Sequence, residues 1–178
     1  ILCFGDSNTY GLIPGTVSQR YGWGTRWTSI LDDKVRTKGY RVIEEGLCGR
    51  TTVFDDPFCT ERRGTEMLPA ILESHRPVDT IVLMLGTNDC KSVYNATPEV
   101  IGQGIEQLLD QIKAVNPDAK ILLVSPIYLG ERIWEEDFDP EFDKNSIEVS
   151  WNLPRVYEKI ARRRNISYLP ASEFARPG

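Results

Sequence analysis

The run Ile81-Val82-Leu83-Met84-Leu85 contains no polar residue, and this narrows the fold more than any other feature of the chain. A strand with one wet face alternates apolar and polar side chains, whereas a strand covered on both faces has no need to. The run therefore predicts a central strand with packed layers above and below it, and Ile121-Leu122-Leu123-Val124 reads the same way. With shorter runs added, strands are expected near 1–5, 41–45, 79–85, 120–125 and 166–170, separated by stretches of helical periodicity. Such alternation builds βαβ units on a parallel sheet. The expected class is α/β with a five-stranded parallel sheet, and 178 residues suit one domain with one sizeable core.

The helix expected over 98–115 is the best marked. Thr97 suits the N-cap, Pro98 the first helical position, and Glu99 the positive end of the dipole. Val100, Ile101, Ile105, Leu108, Leu109, Ile112 and Val115 then recur at helical spacing, and Asn116-Pro117 stops the run. Further helices are expected near 24–38, 64–75 and 147–164. The stretch from Tyr128 to Glu148 is long for a connection, acidic, and carries Trp134, Phe138 and Phe142. It reads equally as an overhang of the ligand-binding rim and as a surface excursion or subunit contact, which leaves a homo-oligomer open.

Charge excludes some partners. A net charge of −5 is not that of a phosphate-binding surface, and the one basic cluster, Arg162-Arg163-Arg164, ends a helix where it complements the dipole. No nucleic acid is expected as a partner. No apolar stretch approaches the roughly 20 residues of a membrane span. Cys3, Cys48, Cys59 and Cys90 form no CxxC pair and have no nearby histidine, so no metal site is expected. Their scatter fits reduced thiols and a cytoplasmic location, although a start without Met leaves room for a removed leader.

Open α/β sheets bind ligands at the carboxyl ends of their strands. The first three strands lead there into Gly5-Asp6-Ser7-Asn8, Gly46-Leu47-Cys48-Gly49-Arg50-Thr51-Thr52 and Gly86-Thr87-Asn88-Asp89. Ser7 offers a hydroxyl nucleophile and a free N–H. Gly49, without a Cβ, lets its N–H approach a bound carbonyl, and Asn88 offers an uncharged side-chain donor. Each alone is a common turn or cap residue; their succession on one rim suggests an oxyanion site. Asp89 is expected to cap the following helix. Tyr10 and Trp134 read as walls of the acyl or alcohol pocket, or as ordinary packing. Cys48 and Cys90 flank the site residues, so bulky thiol reagents are expected to slow turnover. A different reading lets Ser7, Asn8 and Thr9 cradle a phosphate at a helix N-terminus, as a flavodoxin-like nucleotide binder would, but gives Gly49 and Asn88 no role.

These blocks resemble the SGNH (GDSL-type) serine hydrolases. Gly5-Asp6-Ser7 is similar to the nucleophile block, the Gly49 loop to the oxyanion-glycine block, and Gly86-Thr87-Asn88-Asp89 to the Gly-x-Asn-Asp block. Ile43-Glu44-Glu45-Gly46-Leu47 with Arg50-Thr51-Thr52 is most similar to the bacterial arylesterase/acyltransferase branch. The resemblance covers almost the whole chain. It implies a flavodoxin-like three-layer α/β/α fold and hydrolysis of small acyl or aryl esters through an acyl-serine, with acyl transfer also open. It implies no metal or organic cofactor, and it carries over to Ser7, Gly49 and Asn88.

That family completes its site with an Asp-x-x-His block, which has no counterpart here. The one histidine, His75, is expected at the amino end of the sheet, about 20 Å from Ser7 for a strand of about seven residues at roughly 3.3 Å each. Residues 1–178 therefore read as a single SGNH hydrolase-like domain lacking its Asp-x-x-His segment, and as a poor catalyst by themselves. A ligand-binding relative that has lost its base is the third reading.

Overall fold

A computed structural model describes residues 1–135 and 137–177. The central strand is β3 (Thr80–Met84), flanked by β1 (Leu2–Gly5) and β4 (Lys120–Ser125), with β2 (Ile43–Gly46) and β5 (Ser167–Pro170) at the edges. All pairs are parallel and the order is β2-β1-β3-β4-β5, the flavodoxin-like arrangement. The α-helices among the described residues are α1 (Ser7–Tyr10), α2 (Trp27–Arg36), α3 (Gly64–Ser74), α4 (Pro98–Val115) and α5 (Lys144–Arg164).

The apolar runs divide by strand periodicity. Leu2, Phe4, Ile81, Leu83 and Leu123 enter a large core with side chains of α3, α4 and α5. Cys3, Val82, Met84 and Val124 face the other way, toward Trp27 and Leu31 of α2. Beside α2 that second face carries an apolar groove of about 520 Å³, lined among others by Asn8, Met84, Val124 and Phe174. Both faces of β3 are thus apolar, which is why its sequence does not alternate.

Local signals set the helix ends. The Thr97 side chain accepts the Val100 N–H (3.3 Å), and Asn116 closes α4. α5 starts at Lys144, ahead of the expected 147, because Asp143 and Ser146 cap each other reciprocally, at 2.8 and 3.0 Å. Arg163 and Arg164 do more than face the dipole of α5: both reach Glu106 on α4, and Arg164 also pairs with Asp110. The segment after β4 is only partly exposed. Leu129, Ile133 and Phe142 turn into the core, while Trp134 and Phe138 face outward. Among the described residues no helix is long and apolar enough to cross a membrane.

Candidate active site

The register brings the first three loops to one level: Gly5 pairs with Gly46 of β2 on one side and with Met84 of β3 on the other. The chain therefore leaves three adjacent strands together. Space between them is tight, since a Cβ on Gly46 would fall 2.1 Å from the Tyr10 backbone nitrogen. Glycine is what lets α1 settle against β2.

Ser7 is the first residue of α1 and is half-buried. Asp6 caps this short helix by accepting the Asn8 N–H (2.9 Å), so its carboxylate serves the backbone. Burial pushes the Asp6 carboxyl above the usual range, against the pull of the Asn8 N–H and of Arg50. No described side chain hydrogen-bonds the Ser7 hydroxyl, and its N–H, in the first turn, has no helical acceptor.

Gly49 has φ +79°, a left-handed conformation that favours glycine. The Arg62 side chain lies over it, with Nε 3.4 Å from where a Cβ would stand. Asn88 is buried in the turn Asn88–Cys90 and donates one amide N–H to the Arg50 carbonyl at 3.0 Å. A carboxamide nitrogen has two N–H groups, and the second has no protein acceptor among the described residues. The first loop joins the third where the Asn8 amide reaches the Thr87 hydroxyl (3.5 Å), and Trp27 holds the Asn8 carbonyl (3.1 Å). Ser7, Gly49 and Asn88 are thus brought to one rim.

Arg50 is an anchor that residue spacing did not reveal. Its guanidinium is buried, lies 4.1 Å over the Phe4 ring, and donates to the carbonyls of Gly5 (2.9 Å) and Glu45. Burial lowers its pKa to about 10, against the attraction of Glu45 and Asp6. One cation thereby ties the second loop to the last residues of β1 and β2. Asp89 departs from its expected role. It is not a helix cap but a fully buried acceptor for Thr52, and burial pushes its carboxyl up to about 6 despite those hydrogen bonds. Lys91 is a third unforeseen anchor, paired with Asp56 and Glu141 at 3.0 Å each, which docks the segment after β4 onto the turn that carries Asn88. A buried charge leaves no periodic trace in sequence, so none of the three was legible.

The remaining candidates are less closely placed. Tyr10 ends α1, its ring under the Arg20 guanidinium (4.5 Å) and its carbonyl bonded to Arg20 Nε (2.6 Å). Trp134 donates to the Glu131 carbonyl (3.1 Å) and packs under Lys144 (4.2 Å) by a shallow depression it shares with Trp151; no described contact joins it to Ser7. His75 does end α3, but its Nε2 lies 2.8 Å from Glu45 Oε1, so an acidic side chain of β2 occupies it. Cys90 is buried with its thiol on the Gly86 carbonyl (3.3 Å), and burial raises its pKa, so the expected sensitivity to thiol reagents narrows to Cys48. Among the described residues no group of three or more His, Cys, Asp or Glu side chains is placed to hold a metal ion.

The profile of the GDSL-like Lipase/Acylhydrolase family matches residues 3–178. Among solved structures, the carbohydrate acetylesterase Est24 from Sinorhizobium meliloti superposes with a TM-score of 0.88 at 35% identity, covering 97% of this chain and 83% of Est24. The aryl esterase of M. smegmatis superposes with a TM-score of 0.86 at 33% identity, again over 97% of this chain and 83% of its own. No curated protein sequence matches significantly.

Proposed function

The chain belongs to the GDSL-like lipase/acylhydrolase (SGNH) family and is an esterase by that membership, and from this premise we propose that Ser7 attacks the carbonyl of a small acyl or aryl ester to form an acyl-serine. The Ser7 and Gly49 N–H groups and the free N–H of the Asn88 amide receive the negative charge that develops on the carbonyl oxygen. Such donors act where charge appears in the transition state, and each is worth on the order of 10²–10³ in turnover. The observation that carries this reading is the Asn88 to Arg50 hydrogen bond at 3.0 Å, which joins the third loop to the second one residue after Gly49.

Activating the Ser7 hydroxyl needs a general base; no described side chain hydrogen-bonds that hydroxyl, and the described partner of the chain's one histidine is Glu45. A base must reach the proton it removes. The names of the two neighbours, a carbohydrate acetylesterase and an aryl esterase, favour acetyl and aryl esters for this chain. Water or an alcohol then discharges the acyl-serine.

A fluorophosphonate probe on the full-length protein tests the reading. Ser7→Ala should lose all labelling while folding normally; labelling that survives the substitution removes Ser7 from the role. A series of nitrophenyl esters should show the fastest turnover with acetyl, and a preference for long chains would overturn the substrate assignment.

A further inference from the structure

The turn after β3 reaches the second loop with two consecutive side chains. Asn88 takes the Arg50 carbonyl. Asp89, fully buried, takes Thr52: the Thr52 N–H donates to both carboxylate oxygens (2.9 and 3.1 Å), and the Thr52 hydroxyl donates to Oδ1 (2.5 Å). Between them, Thr51 is held from elsewhere, its N–H on the Arg62 carbonyl (3.0 Å) and its hydroxyl on the Phe54 carbonyl (2.6 Å). Each residue from 50 to 52 is thus fixed by a partner outside the loop, while the Gly49 N–H has no protein acceptor among the described residues.

Burying a carboxylate is costly unless it is well bonded. Asp89 spends its bonds on one residue, which lies three positions after Gly49. No described cation pairs with it, and its one partner from another element is Thr52. Charge-assisted hydrogen bonds are shorter and stronger than neutral ones, and three of them on one residue hold it to one place. We propose that Asp89 is a positioning residue of the oxyanion site, holding the Gly49 loop through Thr52 at a fixed separation from the Asn88 amide. This rests on the reading of Ser7, Gly49 and Asn88 given above. Asp89 touches no substrate. It acts by keeping two donors, carried on different strands, aimed at one oxygen.

The test uses full-length protein with nitrophenyl acetate, each rate expressed per site titrated by a phosphonate. Asp89→Asn keeps the shape but turns a donor toward Thr52. Its kcat should fall about 10²-fold, as expected when a catalytic donor is displaced by about 1 Å, with KM within threefold. Thr52→Val, which removes one of the three bonds and keeps the backbone N–H, should lower kcat less, and Thr52→Ser should restore it. A kcat per site within threefold of the parent in Asp89→Asn, a loss confined to KM, or a loss confined to the number of titratable sites would each overturn the proposal. Ser7→Ala runs in parallel. If it stays active, the acyl-transfer reading itself has failed; if it is inactive while Asp89→Asn is normal, only the positioning role has failed.

Discussion

The loop Gly46–Thr52 and the segment Tyr128–Asp143 both leave carboxyl ends of strands, β2 and β4, yet they are held by different physics. The first is gripped by buried polar groups: Arg50 on the Gly5 carbonyl, Asn88 on the Arg50 carbonyl and Asp89 on Thr52. The second is anchored at its ends, by Leu129 on the Ser150 hydroxyl (3.2 Å) and by Glu141 on Lys91, and between them it shows Trp134 and Phe138 to solvent, 41% and 51% exposed. Its internal pair, Arg132 with Glu135, is a surface contact. Buried polar bonds are expensive to break because the partner left behind is stranded, while exposed ones are replaced by water. Buried polar bonds are therefore concentrated at the strand-end loops of the site, while the described middle of the second segment is held by apolar side chains such as Ile133 and by surface contacts.

The sharpest way to break this contrast is Asn88→Ala, which removes a donor and strands the Arg50 carbonyl. Turnover on nitrophenyl acetate should fall on the order of 10²–10³ with KM little changed, and a fall of less than threefold would show that the buried grip has no catalytic consequence. Next in size is pH. The folded-state pKa of Asp89, about 6, lies above its ordinary 3.8, so the folded chain holds this proton more tightly than the unfolded chain. The group's contribution is complete below about pH 4 and is lost as pH rises through 6, by about 3 kcal/mol at 1.36 kcal/mol per pH unit. The difference in unfolding free energy between the parent and Asp89→Asn should shrink from pH 4 to 6.5, as urea titrations would show; a flat difference would refute it.

Lys91→Met joins the two regions. It strands Asp56 and releases Glu141, and should cost about 3 kcal/mol, the low end for breaking a buried pair, because Asp56 keeps the Phe58 and Cys59 N–H groups (2.8 and 2.9 Å). Arg132→Ala should leave the melting temperature unchanged, and a clear drop would erase the contrast. The thiols give a milder probe. In the native protein Cys59 should react first and Cys48 more slowly, with Cys3 and Cys90 blocked until unfolding; mass spectrometry after timed labelling reads the order, and early modification of Cys90 would contradict its burial.

Much of this was legible in sequence. Thr97, Pro98 and the 98–115 periodicity mark α4 because capping and amphipathicity are local. Ser7, Gly49 and Asn88 could be placed on one rim because strand ends in a parallel sheet share a level. Asp89 was misread as a cap because an Asp after Asn in a turn ordinarily bonds the nearby backbone, whereas its partner lies 37 residues away. Arg50 bonds across 45 residues, and burial of its charge has no periodic signature. Trp134 was read from its place on the long segment after the fourth strand, and its described contacts, with Glu131 and Lys144, lie within its own neighbourhood.

What the chain settled by itself is the alternation of strand and helix, the two-sided burial of β3, and the identity of the three strand-end loops. These follow from interactions within a few residues and from the solvent's rejection of apolar side chains. Which polar group meets which was decided only by the strand order β2-β1-β3, which sets the loops side by side. Hydrogen-bond partners are chosen by distance in space, and for Arg50, Asn88 and Asp89 that distance exists only once the sheet has formed.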